Sequence, residues 1–148
     1  MDEPFVVRRE VQIAAPQSTV FAYLTDPEKI LRWLGTEAKV EPQPGGLYLV
    51  NVGGRNVARG KFTEVIPVHR LAYSFGWEGR ENMPPGSGLI EIDLIDQGGA
   101  TLLRMAHSGL PDAIEVASHG RGWAHYLGRL GVAATGGDPG PDVHGKAA

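Results

Sequence analysis

The sequence has no cysteine, no excess of basic residues and no long apolar run, and each absence excludes a class of protein. Without cysteine in its 148 residues, the chain forms no disulfide, no thiolate zinc site and no cysteine nucleophile. A formal net charge of −3 gives no basic surface for nucleic acid. No stretch approaches the roughly 18 apolar residues that cross a bilayer, and MDEPFVVRRE lacks the apolar core of a signal peptide. We therefore expect a cytoplasmic protein with neither a nucleic-acid partner nor a membrane partner.

Alternating and helical hydrophobic patterns divide the rest of the chain. The final helix is predicted from Asp112 to Gly131, with an Asp112/Glu115 capping box at its start. Short helices are expected from Pro16 and over 27–34, on either side of the break at Asp26 and Pro27. Period-two alternation and turn residues predict strands over 5–13, 36–41, 47–52, 57–66, 70–77, 88–96 and 100–108.

The last helix is predicted to cover the sheet through an apolar stripe, which comprises Ile114, Ala117, Gly120, Trp123, Leu127 and Leu130. Its interior glycines, among them Gly120 and Gly128, each cost about 1 kcal/mol relative to alanine. They indicate either close approach of another chain segment or a loosely held helix.

The order of these elements indicates an α+β fold. It consists of a seven-stranded antiparallel curved sheet wrapped around the long C-terminal helix, with two short helices after the first strand. Residues 1–134 are predicted to form a single domain. Residues 135–148 are too rich in glycine and proline to bury a core and are expected to form a flexible tail. A bent sheet around one helix tends to enclose a cavity, and function is expected there.

Five sequence segments carry a family resemblance: IAAPQSTVFAYLTDPEKILRW, EPQPGGLY, Gly60 followed by VIPVHRLAYSF, GGATLLRMAHSGLP, and HGRGWAHYLGRL. In this order and spacing they resemble the SRPBCC (START/Bet v 1-like, helix-grip) superfamily over roughly residues 6–131. More closely, they are similar to the branch named after the activator of heat-shock protein 90 ATPase. The resemblance implies a helix-grip fold and binding of a small hydrophobic molecule.

Two other functions stay open under this resemblance. One is a co-chaperone-like protein-interaction module, although contact with the chaperone itself is not expected, because nothing here corresponds to the separate N-terminal domain of the eukaryotic co-chaperones. The other is an enzyme of the cyclase or hydratase type found in the same superfamily. Homodimerisation through the sheet edges is also left open.

The predicted binding residues are those expected to face the cavity or its mouth. They are Arg9, Trp33, Tyr48, Phe62, Tyr73, Phe75, Trp77, Ile92, Met105, His107, Trp123 and Leu127. The apolar members would bury the ligand, whereas Arg9, Tyr73 and His107 would orient it, with an entrance between loop 78–87 and Pro111. Alternatively, the aromatic residues only fill the core, and Arg9 extends to water from the end of its strand.

Catalytic and metal-binding residues are harder to find in this sequence. His107, His119 and His125 lack carboxylates at suitable spacing, so we expect no metal and no cofactor. We assign no catalytic residue and do not expect an enzyme. If catalysis occurs, Arg9, Tyr73, His107 and Glu64 are the candidates, since Glu91 and Asp93 fall on the solvent face of their strand.

Overall fold

A computed structural model describes residues 5–54 and 56–142, which form a curved antiparallel sheet packed on one long helix. The strands are β1 (Val7–Ile13), β2 (Glu37–Val40), β3 (Leu47–Val52), β4 (Asn56–Ile66), β5 (Arg70–Phe75), β6 (Gly88–Asp96) and β7 (Thr101–Ser108). The helices are α1 (Gln17–Thr25), α2 (Pro27–Ile30) and α3 (Ala113–Ala134). The strand order in this seven-stranded sheet is β1-β7-β6-β5-β4-β3-β2. The predicted helix-grip fold is confirmed.

Strand alternation determines which side chains enter the core. In β6, Ile90 and Ile92 are buried on the concave face, whereas Glu91 and Asp93 point to the convex face. The antiparallel register places Ile90 between Tyr73 of β5 and His107 of β7. The concave face is therefore a continuous apolar layer, and the two acidic residues lie on the solvent side as predicted.

The chain breaks between α1 and α2 at the predicted residues. Asp26 is extended, with φ −98° and ψ 120°, and its side chain accepts a hydrogen bond from the backbone N–H of Glu28. Pro27 is the first residue of α2, where its missing N–H is not needed. The second helix ends at Ile30, earlier than predicted. Trp33 follows in a turn, buried, and its indole N–H donates to the backbone oxygen of Tyr23 at 2.8 Å, so the two helices close one end of the core as a unit.

The helix α3 begins at the predicted cap, but the side chains of its first turns are not oriented as predicted. The Asp112 carboxylate accepts from the backbone N–H of Glu115 at 2.9 Å, whereas the Glu115 side chain bonds to Arg80 instead of returning to the cap. Ile114 is 78% exposed and Ala117 is exposed, so the predicted stripe is wrong there. The helix buries Gly120, Trp123, Leu127 and Leu130 and continues three residues beyond Gly131 to Ala134.

The segment after α3 turns back along the helix. The Arg129 guanidinium donates to the backbone oxygens of Pro139 at 3.3 Å and Gly140 at 3.0 Å. The Asp142 carboxylate accepts from the Tyr126 hydroxyl at 2.6 Å. Flexibility of residues 135–148 stays a prediction, and residues 143–148 lie outside the described part of the chain.

The helices of the described residues are too short or too polar to cross a membrane.

Candidate ligand pocket

A pocket of about 260 Å³ lies between the β3–β5 side of the sheet and α3. Its lining comprises Leu34, Tyr48, Val52, Asn56, Ala58, Phe75, Trp77, Arg80, Ser118, His119, Gly122, Trp123 and Tyr126. Two small residues on opposite walls, Ala58 of β4 and Gly122 of α3, leave space that a larger side chain would occupy. Most of the remaining wall is aromatic or aliphatic.

Some predicted site residues meet at this pocket and others do not. Tyr48, Phe75, Trp77 and Trp123 line it. The predicted residues Trp33, Phe62, Tyr73, Ile92, Met105 and Leu127 are buried in the surrounding core, and His107 lies behind Trp123. Arg9 is exposed on β1 and lies against α3, where its Nη2 is 2.7 Å from the position of a Cβ on Gly120.

Sequence reasoning missed several lining residues that a simple periodicity could have found. Val52 and Ala58 lie at even spacing from Tyr48 and Phe62 on their strands. His119 and Tyr126 lie four residues before and three after Trp123, on the same side of α3. Arg80 had no comparable signal, because it sits in an irregular loop.

A stack of tyrosines supports the pocket floor. The rings of Tyr48 and Tyr73 are 4.0 Å apart with an interplanar angle of 19°, and Phe62 packs edge-on against both. Burial raises the pKa of Tyr48 to about 12 and that of Tyr73 well above the usual phenol value. Both side chains are therefore neutral phenols at physiological pH.

Two tryptophan–histidine pairs fix the aromatic wall. The indole N–H of Trp123 donates to Nδ1 of His107 at 3.0 Å, and that of Trp77 donates to Nε2 of His119 at 3.0 Å. Because an indole nitrogen only donates, each imidazole must accept and is neutral. The His119 proton is then on Nδ1, which lies 2.9 Å from the backbone oxygen of Glu115. The proton of His107 is on Nε2, for which the described residues supply no partner.

Burial keeps both imidazoles uncharged. Together with a smaller contribution from the neighbouring His119, it lowers the pKa of His107 to about 3. Burial also lowers the pKa of His119, against the opposing effect of the Glu115 backbone oxygen. The hydrogen-bond partner of His107 is thus the indole of Trp123 on α3, a contact between sheet and helix that the sequence did not predict.

Arg80 is the one charged side chain among the described residues that line the pocket. One guanidinium nitrogen, Nη2, donates to Oε2 of Glu115, and the Arg80 backbone N–H donates to the Trp77 oxygen at 3.2 Å. Asn82 Nδ2 lies 3.4 Å from the same Glu115 oxygen. The Glu115 side chain is 13% exposed and that of Arg80 38%, so a mostly buried carboxylate holds a more accessible cation at the rim.

The other proposed acid–base and metal candidates lie away from the pocket. A β-bulge between Phe62 and Glu64 accompanies the outward turn of Glu64, which accepts from Arg70 at 2.6 Å on the convex face. His125 faces Asp142. The residues described contain no group of three or more His, Asp or Glu side chains that could hold a metal ion. The pocket thus offers aromatic contact and one cationic rim group.

Comparison with known proteins identifies the family. The family described as activator of Hsp90 ATPase homolog 1-like protein matches residues 14–134. No curated protein sequence matches this chain. A solution NMR structure of an AHSA1-like protein from Rhizobium etli is 69% identical and covers 97% of this chain and 90% of its own, with a TM-score of 0.77.

Two more distant structures share the fold. DynU16, a protein in the dynemicin biosynthetic locus, is 25% identical with a TM-score of 0.81, over 93% of this chain and 49% of its own. The present chain thus spans about half of that protein. The Aha1 dimer from Colwellia psychrerythraea is 19% identical with a TM-score of 0.77, over 89% of this chain and 97% of its own. At this identity the likeness extends to the fold alone.

Proposed function

The chain belongs to the activator of Hsp90 ATPase homolog 1-like family, and we propose that it binds a small, mostly apolar molecule in the pocket between its sheet and α3. The observation that carries the proposal is the aromatic lining of an unfilled space in an otherwise packed interior. Ligand sites are typically concave, mainly apolar and equipped with a few polar groups. This pocket has that composition.

The size of the pocket limits the ligand. At about 260 Å³ it lies just below the usual range of roughly 300–1,000 Å³ for ligand sites, which favours a molecule of one or two rings over a lipid chain. Burial of apolar surface stabilises such a complex by about 25 cal/mol per Å². Loss of translational and rotational freedom on association opposes it.

The rigid wall supports the proposal further. Trp77 and Trp123 are each anchored through the indole nitrogen, so their rings need not be ordered when a ligand arrives. Binding sites whose side chains are already fixed lose less conformational entropy on association. Neutral His107 and His119 provide this support without placing a charge in the wall.

The tryptophans also provide the test. We would titrate ¹⁵N-labelled protein with 2-naphthamide, a neutral bicyclic probe, and follow the three indole N–H signals. The Trp77 and Trp123 signals should shift, whereas Trp33, whose indole faces Tyr23 away from the pocket lining, serves as the internal control. No shift at saturating probe, or an equal shift of all three signals, would contradict binding in this pocket.

A second experiment searches for the natural ligand. Native mass spectrometry of protein purified from its source cells should reveal an additional mass that disappears on denaturation. Replacing Ala58 with Leu should abolish that mass, because the larger side chain would occupy the pocket between β4 and α3. An Ala58→Leu protein that folds and still carries the mass would place the ligand elsewhere.

The enzymatic alternative has less support in this geometry. A cyclase- or hydratase-type reaction requires an acid or base facing the ligand. Glu64 points to the convex face, and both nitrogens of the pocket-lining His119 already have hydrogen-bond partners. An apolar binding function uses the pocket without disturbing these contacts.

A further inference from the structure

The polar groups of the pocket divide into those already bonded and those still free to meet a ligand. The indole N–H groups of Trp77 and Trp123 and both nitrogens of His119 are bonded within the wall. At the rim, Arg80 uses Nη2 for Glu115. Within residues 5–54 and 56–142, its Nε and Nη1 have no protein partner.

Glu115 orients Arg80 from outside the pocket. Its carboxylate holds one edge of the guanidinium, is largely buried and does not belong to the lining. Ser118, one turn further along α3, does line the pocket and is an exposed residue. The two groups place hydrogen-bond donors at the rim, while the rings of Tyr48, Phe75 and Trp123 form the apolar interior.

We infer that the ligand is an apolar acid whose carboxylate binds Arg80 at the rim while its body enters the aromatic interior. This inference rests on the proposed binding function and names its ligand class. A guanidinium is a planar fork of five donors, so engagement with Glu115 leaves other N–H groups for a second carboxylate. Hydrogen bonds between a guanidinium and a carboxylate are about twice as strong as neutral ones.

Two features limit the size of the preference. Glu115 offsets much of the positive charge of Arg80, and the Arg80 side chain is partly exposed, so solvent screens the ligand carboxylate. We therefore expect an acid to bind about tenfold more tightly than its neutral counterpart, which corresponds to about 1.4 kcal/mol. The preference should decrease with added salt.

The test compares 2-naphthoic acid, ionised at pH 7, with the nearly isosteric 2-naphthamide by isothermal titration calorimetry and the same indole signals. Wild-type protein should prefer the acid about tenfold. Arg80→Gln should remove the preference. The matched control is Arg59→Gln, which loses the same charge from a residue paired with Glu78 at 3.0 Å outside the pocket, and it should keep the preference.

Glu115→Gln provides a second variant. Its amide oxygen still accepts a hydrogen bond from Arg80 and keeps the guanidinium in place, but it no longer offsets the positive charge, so acid binding should strengthen. Equal affinity for both probes in wild-type protein, or an unchanged preference in Arg80→Gln, would overturn the acid assignment while leaving the proposed function intact. Failure of both probes to bind would instead contradict the proposed function. The wild-type comparison decides the matter even if a variant does not fold, and the Trp33 signal reports folding of each variant.

Discussion

The two faces of the sheet use polar side chains in opposite ways. On the concave face, His107 is fully buried, neutral, and bonded to Trp123 at 3.0 Å. On the convex face, Arg70 of β5 meets three carboxylates at similar distances, those of Glu64 at 2.6 Å, Glu91 at 2.7 Å and Asp93 at 3.0 Å. The donor–acceptor distances on the two faces are comparable, but the convex-face groups are partly exposed to solvent whereas His107 is fully buried.

The difference concerns what each contact contributes to stability. A buried donor or acceptor that loses its partner keeps its full desolvation cost, about 1–3 kcal/mol. Water and salt screen an exposed ion pair, which typically contributes about 0–1 kcal/mol. One neutral hydrogen bond on the concave face should therefore matter more than three ion pairs on the convex face.

The largest effect is expected for His107→Ala. The change leaves a cavity in the core and an unpaired indole N–H on Trp123, and the combined cost should be about 3–5 kcal/mol. Urea denaturation followed by tryptophan fluorescence would measure it. His107→Phe, which refills most of the space but still removes the acceptor, should cost less, about 1–3 kcal/mol. Equal losses in the two variants would show that the cavity is unimportant.

Acidification should destabilise the protein through the same concave face. The unfolded pKa of histidine is about 6.5, whereas burial lowers that of folded His107 to about 3. Below pH 6.5 the unfolded state therefore binds the proton more strongly, so stability present at neutral pH is lost as pH falls toward 3. The loss should approach 1.4 kcal/mol per pH unit in this interval.

This pH effect can be assigned to one residue. The free energy of unfolding should be measured by urea titration at pH 7, 6, 5 and 4.5 for the wild type and for His107→Phe. The wild-type slope between pH 6 and 4.5 should be steeper, because the variant has no imidazole to protonate there. Identical slopes would mean that other groups cause the acid sensitivity.

On the convex face, Arg70→Gln should cost only about 1 kcal/mol, although it removes the common partner of three carboxylates. The Arg70 side chain is 26% exposed, so solvent replaces part of the lost interaction. The loss should shrink in 1 M NaCl, where screening is nearly complete. A loss as large as that of His107→Ala would contradict the proposed difference between the two faces.

The contrast between the faces also explains what the sequence could predict. Alternation in β6 correctly predicted Ile90 and Ile92 inside and Glu91 and Asp93 outside. This prediction was secure because shifting the strand register by one residue would expose the entire apolar set. The Asp112 cap was predictable for a similar reason, since it depends only on local backbone geometry. The family resemblance added the overall helix-grip arrangement.

The pocket was less predictable, because an unfilled volume depends on packing across several elements. Alternation identifies Tyr73 and Phe75 as inward-facing alike, yet only Phe75 reaches the space left by Ala58 and Gly122. Loop 78–87 was predicted only as part of the entrance, and no periodic pattern indicated that Met83 within it is fully buried. Arg80 in the same loop depends on Glu115 for its position, a contact between residues 35 apart in sequence.

The smallest predicted effect concerns two glycines of α3, of which Gly120 lies against Arg9 and Gly128 has free space beside it. A Cβ at Gly128 would meet no atom within 4 Å, whereas one at Gly120 would lie 2.7 Å from Nη2 of Arg9. Gly128→Ala should therefore raise the free energy of unfolding by about 1 kcal/mol, the usual helix preference for alanine. Gly120→Ala should gain less, since the Arg9 guanidinium must move away. If both substitutions stabilise equally in urea denaturation, Arg9 does not restrict the helix, and the glycine at 120 serves no packing role on the sheet-facing side.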